Sequence, residues 1–380
     1  MSLDIGRLLS ERVKDIETSG IRRAWALAQE CDEPINLSIG QPDFPVPDSI
    51  KQSAIDAILQ DKNGYTQTAG EDVLLQTIYR RLGDQLGWVF GNDSYHGAMI
   101  TNGTAGALTL ACLAVLGPGD EIIIPDPYFA IYPTLARIAE AKAVLCDTYP
   151  DFRMTAQRIE RCITGKTKAV LINSPANPTG VVLTEEEVVE IATLCRDRGL
   201  LLITDEIYDE FIFPPTKHAS PAATNDDVLV IRGYGKTYGC TGWRMGYAAG
   251  PKELLNNMLK LQQQTFVCAP APLQHGLVGA YDIDLSQLIQ RFVCRRDMVV
   301  DMLGDVTEFV VPQGAYYAFL KIPERLNMNG IEFITKAVSH DVLAIQGDVF
   351  SKWDSHFRIS FAVADDQLEQ GLSVLKSLLQ

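Results

Sequence analysis

The chain has 380 residues, 47% of them hydrophobic and 21% charged, with a net charge of −15. That length exceeds one small core and fits a large α/β unit or a large domain with a smaller one, and an acidic balance with no offsetting run of Lys and Arg excludes nucleic-acid binding. The longest apolar run, near 107–116, is far short of a membrane span, and Met1 leads into a charged, helix-like segment rather than a basic start and apolar core, so a cytoplasmic protein is expected.

Residues 7–30 mix charges with periodic Leu, Val, Ile and Ala, the pattern of surface helices. From Ile35 the composition changes: glycine at 40 and prolines at 42, 45 and 47 predict an extended arm crossing between bodies of the protein, of a kind that meets a partner subunit. Helical spacing resumes over 49–59 and 73–82, with a break at Asn63-Gly-Tyr-Thr66. From Ile100 the pattern becomes a regular alternation. Thr101-Asn-Gly-Thr-Ala-Gly106 opens a helix to about Leu116, which Gly117-Pro-Gly-Asp120 ends. Short apolar strands are predicted over 121–124, 143–146, 168–172, 200–204, 228–231 and 245–249, and Thr184 with Glu187 makes a capping box for a helix through Arg196. Continuous apolar strands alternating with amphipathic helices predict an α/β fold with a mainly parallel sheet covered by helices on both faces, and ligands of such sheets lie at the strands' carboxyl ends. Helices follow over 253–264 and 286–303. Strands over 314–322 and 357–361, then a last helix with Leu368, Leu372, Leu375 and Leu379 on one face, predict a smaller α+β domain. The expected division is an N-terminal arm and helix packing on the small domain (1–45), a large domain (46–285) and the small domain (286–380).

The eight cysteines are spread with no C-x-x-C pair and read as reduced thiols, and the five histidines form no ligand pair, so no metal site is expected. One lysine stands out. Lys236 lies in Gly233-Tyr-Gly-Lys-Thr-Tyr-Gly-Cys-Thr-Gly-Trp-Arg244, directly after the strand at 228–231, among glycines that let the backbone approach something bulky. A glycine-rich structural turn accounts for the stretch equally well, since the lone Gly-x-Gly has no third glycine at dinucleotide spacing.

Four segments carry a resemblance that decides between these. Asn173-Ser-Pro-Ala-Asn-Pro-Thr-Gly180, Thr204-Asp-Glu-Ile-Tyr208, the lysine stretch ending Thr241-Gly-Trp-Arg-Met-Gly246, and Phe357-Arg-Ile-Ser-Phe361 stand in the order of the motif set of class I aminotransferases, fold-type I enzymes of pyridoxal phosphate, and the chain resembles that family from Gly40 to Arg358. The resemblance implies an enzyme that moves an amino group between an L-amino acid and a 2-oxo acid by a ping-pong mechanism, with Lys236 forming the internal aldimine with pyridoxal 5'-phosphate and carrying the substrate's proton. It implies Asp205 as the partner of the pyridine nitrogen, with Glu206 beside it as competitor, and Tyr208 and Asn177 as donors to the phenolic oxygen. Gly103, Thr104, Ala105 and Arg244 match the phosphate site, and Phe129, with Tyr128 as rival, matches the aromatic stacked on the pyridine. Tyr65 resembles the tyrosine that reaches the phosphate of the other subunit, which implies a homodimer with shared active sites. Arg358, with Asn177 and Gly40 beside it, matches the fork for the substrate α-carboxylate. The same scaffold carries lyases, of the C–S β-lyase or aminocyclopropane-carboxylate synthase type, and non-catalytic regulatory domains. Four positions depart from the pattern. Gly233 and Gly235 replace serines, the earlier of which donates to the phosphate, so that either Thr104 compensates or the cofactor is held more loosely; Gln346-Gly347 replaces Pro-Gly; Leu75 replaces an arginine. No arginine in 262–275 offers a clamp for a dicarboxylate side chain, which leans toward neutral or aromatic substrates.

Overall fold

The structure, a computed structural model, describes residues 3–14, 16 and 34–380. Most of the helical pattern expected over 7–30 lies outside the described residues; what is described there is an exposed 3₁₀ turn at Ile5–Leu8 and one helical turn at Glu11–Lys14. The arm expected after residue 34 begins as a two-residue strand, β1 (Ile35–Asn36), and then runs extended toward the helix Asp48–Leu59.

Seven strands form the main sheet: β2 (His96–Asn102), β3 (Glu121–Asp126), β4 (Lys142–Asp147), β5 (Thr167–Asn173), β6 (Leu201–Asp205), β7 (Val228–Gly233) and β8 (Met245–Pro251), in the order β2-β8-β7-β6-β5-β3-β4. All neighbours pair in parallel except at β8, which is antiparallel to both β2 and β7. The mainly parallel sheet is thus present, with one reversed strand that its apolar run could not reveal. β2 was not expected as a strand before Ile100, because Gly97 and Ala98 dilute the β-branched signal. Alternate residues of each strand enter different cores. Ile123, Val170, Ile172 and Leu202 face the layer holding the helices Asp72–Leu86 and Glu185–Arg198, whereas Ile122, Ile124, Ala169, Leu171 and Ile203 face the layer holding Gly103–Val115 and Lys252–Thr265. Two-sided burial of this kind stabilises by about 1.5–3 kcal/mol per large aliphatic side chain and explains the strands' unbroken apolar runs. The capping box at Thr184 and Glu187 forms as expected.

A second, smaller body holds a three-stranded antiparallel sheet of β9 (Tyr317–Lys321), β11 (Ile345–Gln346) and β12 (His356–Ser360), in the order β11-β12-β9, with helices Ser286–Leu303, Gly330–Val338 and Asp365–Leu379. β1 joins this body by pairing in parallel with β10 (Val342–Leu343). β9 starts three residues later than the sequence predicts, because Ala315 takes a left-handed turn (φ 56°) and the amides of Gly314 and Ala315 donate to the carbonyls of Gly180 and Phe211 in the larger body.

Candidate active site

Parallel strands in register bring their carboxyl ends to one line. Asn173 at the end of β5 sits opposite Asp205 at the end of β6, and Asp205 sits opposite Ile231 on β7, whose exit leads to Lys236. A cavity of 340 Å³ opens there. Of the residues expected in a site, Gly40, Thr104, Ala105, Phe129, Asn177, Asp205, Tyr208, Lys236, Arg244 and Arg358 all line it. Phe129 is in the wall and its rival Tyr128 is not. Gly103 lies just behind Arg244, and Tyr65 is 87% exposed, outside its own chain's cavity.

The two adjacent carboxylates part company. Asp205, buried, faces the cavity, where Tyr132 Oη donates to Oδ2 at 2.8 Å and the Ile207 amide donates to Oδ1 at 3.2 Å. Burial, opposed by those two donors, pushes its pKa up to about 6. Glu206 turns the other way, to Arg232 (2.8 Å), His218 (3.1 Å) and Ser220 (2.6 Å). Burial alone would raise its pKa, but Arg232 and His218 outweigh burial and hold it at about 2. Glu206 is therefore committed to an internal ion pair, and Asp205 is the carboxylate that faces the cavity.

Lys236 Nζ donates to the Gly40 carbonyl. Burial lowers the lysine's pKa, and the nearby guanidinium groups of Arg358 and Arg244 add to that. Arg358, buried, donates from Nη1 to Asn177 Oδ1 at 3.0 Å and from Nη2 to the Ser38 carbonyl at 2.6 Å, while its Nε has no partner. Its Cζ lies 4.5 Å from the ring centre of Tyr317 and 4.6 Å from that of Phe350. Asn173, which bonds the Asp205 carbonyl at 2.8 Å and receives the Asn177 amide at 2.8 Å, ties the two loops together.

One end of the cavity has the features of an anion site. The helix Gly103–Val115 begins without a side-chain cap, so its first-turn amides at Gly103, Thr104 and Ala105 have no acceptor from Asn102 and point to where an anion would lie. Arg244, exposed and in a left-handed conformation (φ 55°), donates to the Thr241 carbonyl and pairs with no carboxylate among the described residues. Gly103 is at φ 70°, and a Cβ there would come within 2.8 Å of an Arg244 Nη. A side chain at 233 would meet Ile207 Cδ1 at 2.7 Å and Thr104 Cγ2 at 3.0 Å, so Thr104 and Ile207 already fill the space a serine would need. An uncapped helix start, a guanidinium paired with no described carboxylate, a buried carboxylate without a cationic partner and a lysine whose pKa burial lowers fit a phosphorylated pyridine aldehyde. Two wall residues were missed from sequence, Tyr132 and Tyr317. Tyr132 has a faint signal, three residues beyond Phe129 on the same loop-to-helix segment; Tyr317 was read only as a strand residue.

The sequence matches the class I and II aminotransferase family over residues 32–375. It is 33% identical to a probable aspartate aminotransferase of Methanocaldococcus jannaschii, covering 98% of this chain and 100% of that one, and 33% identical to a probable N-acetyl-LL-diaminopimelate aminotransferase of Bacillus subtilis, covering 97% and 95%. Among solved structures, an aspartate aminotransferase of Thermotoga maritima superposes with a TM-score of 0.90 at 30% identity, covering 98% of this chain and 100% of that chain. A Thermus thermophilus aspartate aminotransferase mutant superposes with a TM-score of 0.90 at 28% identity, covering 97% and 99%. With its strand-end cavity, its lysine and two arginines in that cavity, and a family match over nearly its whole length, the chain belongs to the class I and II aminotransferases.

Proposed function

We propose that this protein is a pyridoxal-phosphate-dependent aminotransferase of the cytoplasm that exchanges an amino group between an L-amino acid and a 2-oxo acid, working as a homodimer. The observation that carries the reading is one cavity wall holding Lys236, the buried carboxylate of Asp205, and two arginines at opposite tasks. Arg244 and the amides of Gly103, Thr104 and Ala105 would hold the phosphate, Asp205, held by Tyr132, would pair with the pyridine nitrogen, Phe129 would pack against the ring, and Asn177 and Tyr208 would donate to the phenolic oxygen. Bound there, the cofactor supplies an aldehyde that captures the amine and a ring that takes up the electron pair left when the α-proton departs. Lys236 Nζ, whose pKa burial lowers, takes the α-proton and returns it. Arg358 would fork the α-carboxylate, its Nε having no partner and its guanidinium packed against the rings of Tyr317 and Phe350. The rest of the wall, Ile39, Ile207 and Tyr317, with Gln41, adds no further cation, in keeping with neutral or aromatic side chains on the substrate. On the same reading the cofactor-binding body spans 46–285 and the smaller one 286–380, with 1–45 packing on the latter, which the pairing of β1 with β10 supports.

The test is a half-reaction. Cofactor-loaded protein mixed with single amino acids, phenylalanine, leucine and aspartate among them, is expected to yield one equivalent of 2-oxo acid and to stop until an oxo acid is added, and Lys236→Ala is expected to lose this by 10³-fold or more, on the order of a catalytic acid–base and nucleophile combined. Ammonia released with turnover and no acceptor would mark a lyase instead.

A further inference from the structure

One residue, Tyr317, separates the α-carboxylate fork from the cofactor-side tyrosine, and the motifs leave it without a task. We propose that Tyr317 is a positioning residue that sets two groups at once, its hydroxyl fixing the hydroxyl of Tyr208 and its ring face fixing the guanidinium of Arg358. The inference rests on the proposed function.

Tyr317 is 1% exposed and opens β9 opposite Ser360, so it is anchored in the smaller body, whereas Tyr208 follows β6 in the larger one. The two hydroxyl oxygens are 2.9 Å apart. Around Tyr208 stand Tyr316, ring centre at 5.4 Å, and the charges of Arg358 and Asp205. A phenol has one proton to give and lone pairs to receive. When the Tyr317 hydroxyl donates to Tyr208 Oη, the Tyr208 proton is left for a ligand, and a donor that itself accepts a hydrogen bond donates more strongly. The ring does separate work. Tyr317 and Phe350 both pack their rings within 4.6 Å of Arg358 Cζ, so the Tyr317 ring restricts where the guanidinium can lie, with cation–π attraction strengthened by burial. The arm is shaped around the same side chain. A Cβ at Gly40 would overlap Tyr317 Oη, while the next ring atom, Cζ, would be 3.1 Å away.

Two variants of the cofactor-loaded protein separate the tasks, with 2-methylalanine, an amino acid without an α-proton, as the binding probe. Tyr317→Phe keeps the ring and is expected to move the midpoint of the pH-dependent visible absorption up by roughly half a unit, because Tyr208 becomes a weaker donor, with probe binding changed by no more than about twofold. Tyr317→Leu is expected to give the same shift and bind the probe about five- to tenfold more weakly. Gly40→Ala is expected to bind the probe poorly and to regain binding when combined with Tyr317→Phe. A merely structural tyrosine would lower stability in both variants without splitting the two readouts. An unmoved midpoint in Tyr317→Phe, or unchanged probe binding in Tyr317→Leu, overturns the inference alone. A wild-type protein that takes up no cofactor, or whose visible band survives Lys236→Ala, overturns the proposed function and the inference with it.

Discussion

Asp205 shows how one residue couples stability to ligand binding. Its folded-state pKa of about 6 lies above its ordinary 3.8, so the folded, cofactor-free protein holds this proton more tightly than the unfolded chain does. The sign is the reverse of that for a salt-bridged carboxylate: below about pH 4 the group costs nothing, and as pH rises through 4 to 6 folding loses up to about 3 kcal/mol from it. Glu206, held at about 2 from 4.5, contributes in the other direction, its stabilisation present above pH 4.5 and lost as pH falls toward 2. Asp205→Asn in the cofactor-free protein is therefore expected to raise the unfolding free energy relative to wild type at pH 8 by about 2–3 kcal/mol, less what the Tyr132 hydrogen bond contributes, and to change it little at pH 4. Denaturant unfolding at the two pH values measures this, and an equal effect at both would mean that the carboxylate is not held unfavourably in the empty site. On the proposed function, a cationic ring bound beside Asp205 would remove that burial cost, and a destabilising residue would become a binding one.

The elements matter through their ends. β6 and β7 deliver Asp205 and Lys236 side by side, and the pair is fastened one residue deeper by the Glu206–Arg232 ion pair and by the Glu206 amide donating to the Ile231 carbonyl at 2.8 Å. Behind this staple lies a larger cavity, 630 Å³, lined by Arg81, Asp209, Glu210, His218 and Arg232, whose guanidinium groups are taken by the chain's own carboxylates. Arg232→Met leaves Glu206 buried with His218 and Ser220 as its remaining side-chain partners and is expected to destabilise by about 3–5 kcal/mol, with part of the loss restored by adding Glu206→Gln. An Arg232→Met protein with an unshifted unfolding midpoint would show that the staple contributes nothing. The sheet was legible because two-sided burial leaves uninterrupted apolar runs at β3 to β8, each reaching a glycine, asparagine or aspartate within two residues of its end. The short helices Tyr132–Ile138, Ala156–Glu160 and Ala271–Gly276 were not, since five to seven residues hold too few turns to show a periodicity. Direction was also hidden, as β8 runs against its neighbours while reading like them. In the site, residues whose chemistry needs a fixed type, Lys236, Asp205 and Arg358, stood in motifs. Tyr132 and Tyr317 act through geometry formed only when distant segments meet: Tyr132 is 73 positions from Asp205 and Tyr317 is 109 from Tyr208.

At the scale of the whole molecule, the surface around the arm is unusual for a monomer. Tyr65 is 87% exposed, and Ile55, Ile58 and Leu59 at the end of the preceding helix, with Phe266 and Val267 beyond the helix Lys252–Thr265, also present large apolar side chains to solvent. Scattered apolar residues are ordinary on a surface, but a tyrosine in the segment that resembles a cross-subunit phosphate contact, flanked by such residues, fits a face covered by a second copy. If Tyr65 of one subunit serves the phosphate bound by Arg244 of the other, the two functions can be broken in different chains and recovered by mixing. In a hybrid of a Lys236→Ala subunit with a Tyr65→Ala subunit, the site built on the Tyr65→Ala chain keeps its own Lys236 and receives an intact Tyr65 from the other chain. That site is whole, whereas both parents carry a defect in every site. Mixing equal amounts under exchange conditions makes half of the dimers hybrid by random association, each with one whole site, so about a quarter of all sites are expected to become wild type at limiting cofactor, where the Tyr65→Ala parent alone is poorly loaded. Titrating cofactor into the mixture and into each parent reads this as a tight-binding fraction absent from both. If each chain's Tyr65 served its own site, the hybrid would hold one site without lysine and one without tyrosine, and the mixture would be the plain average of its parents.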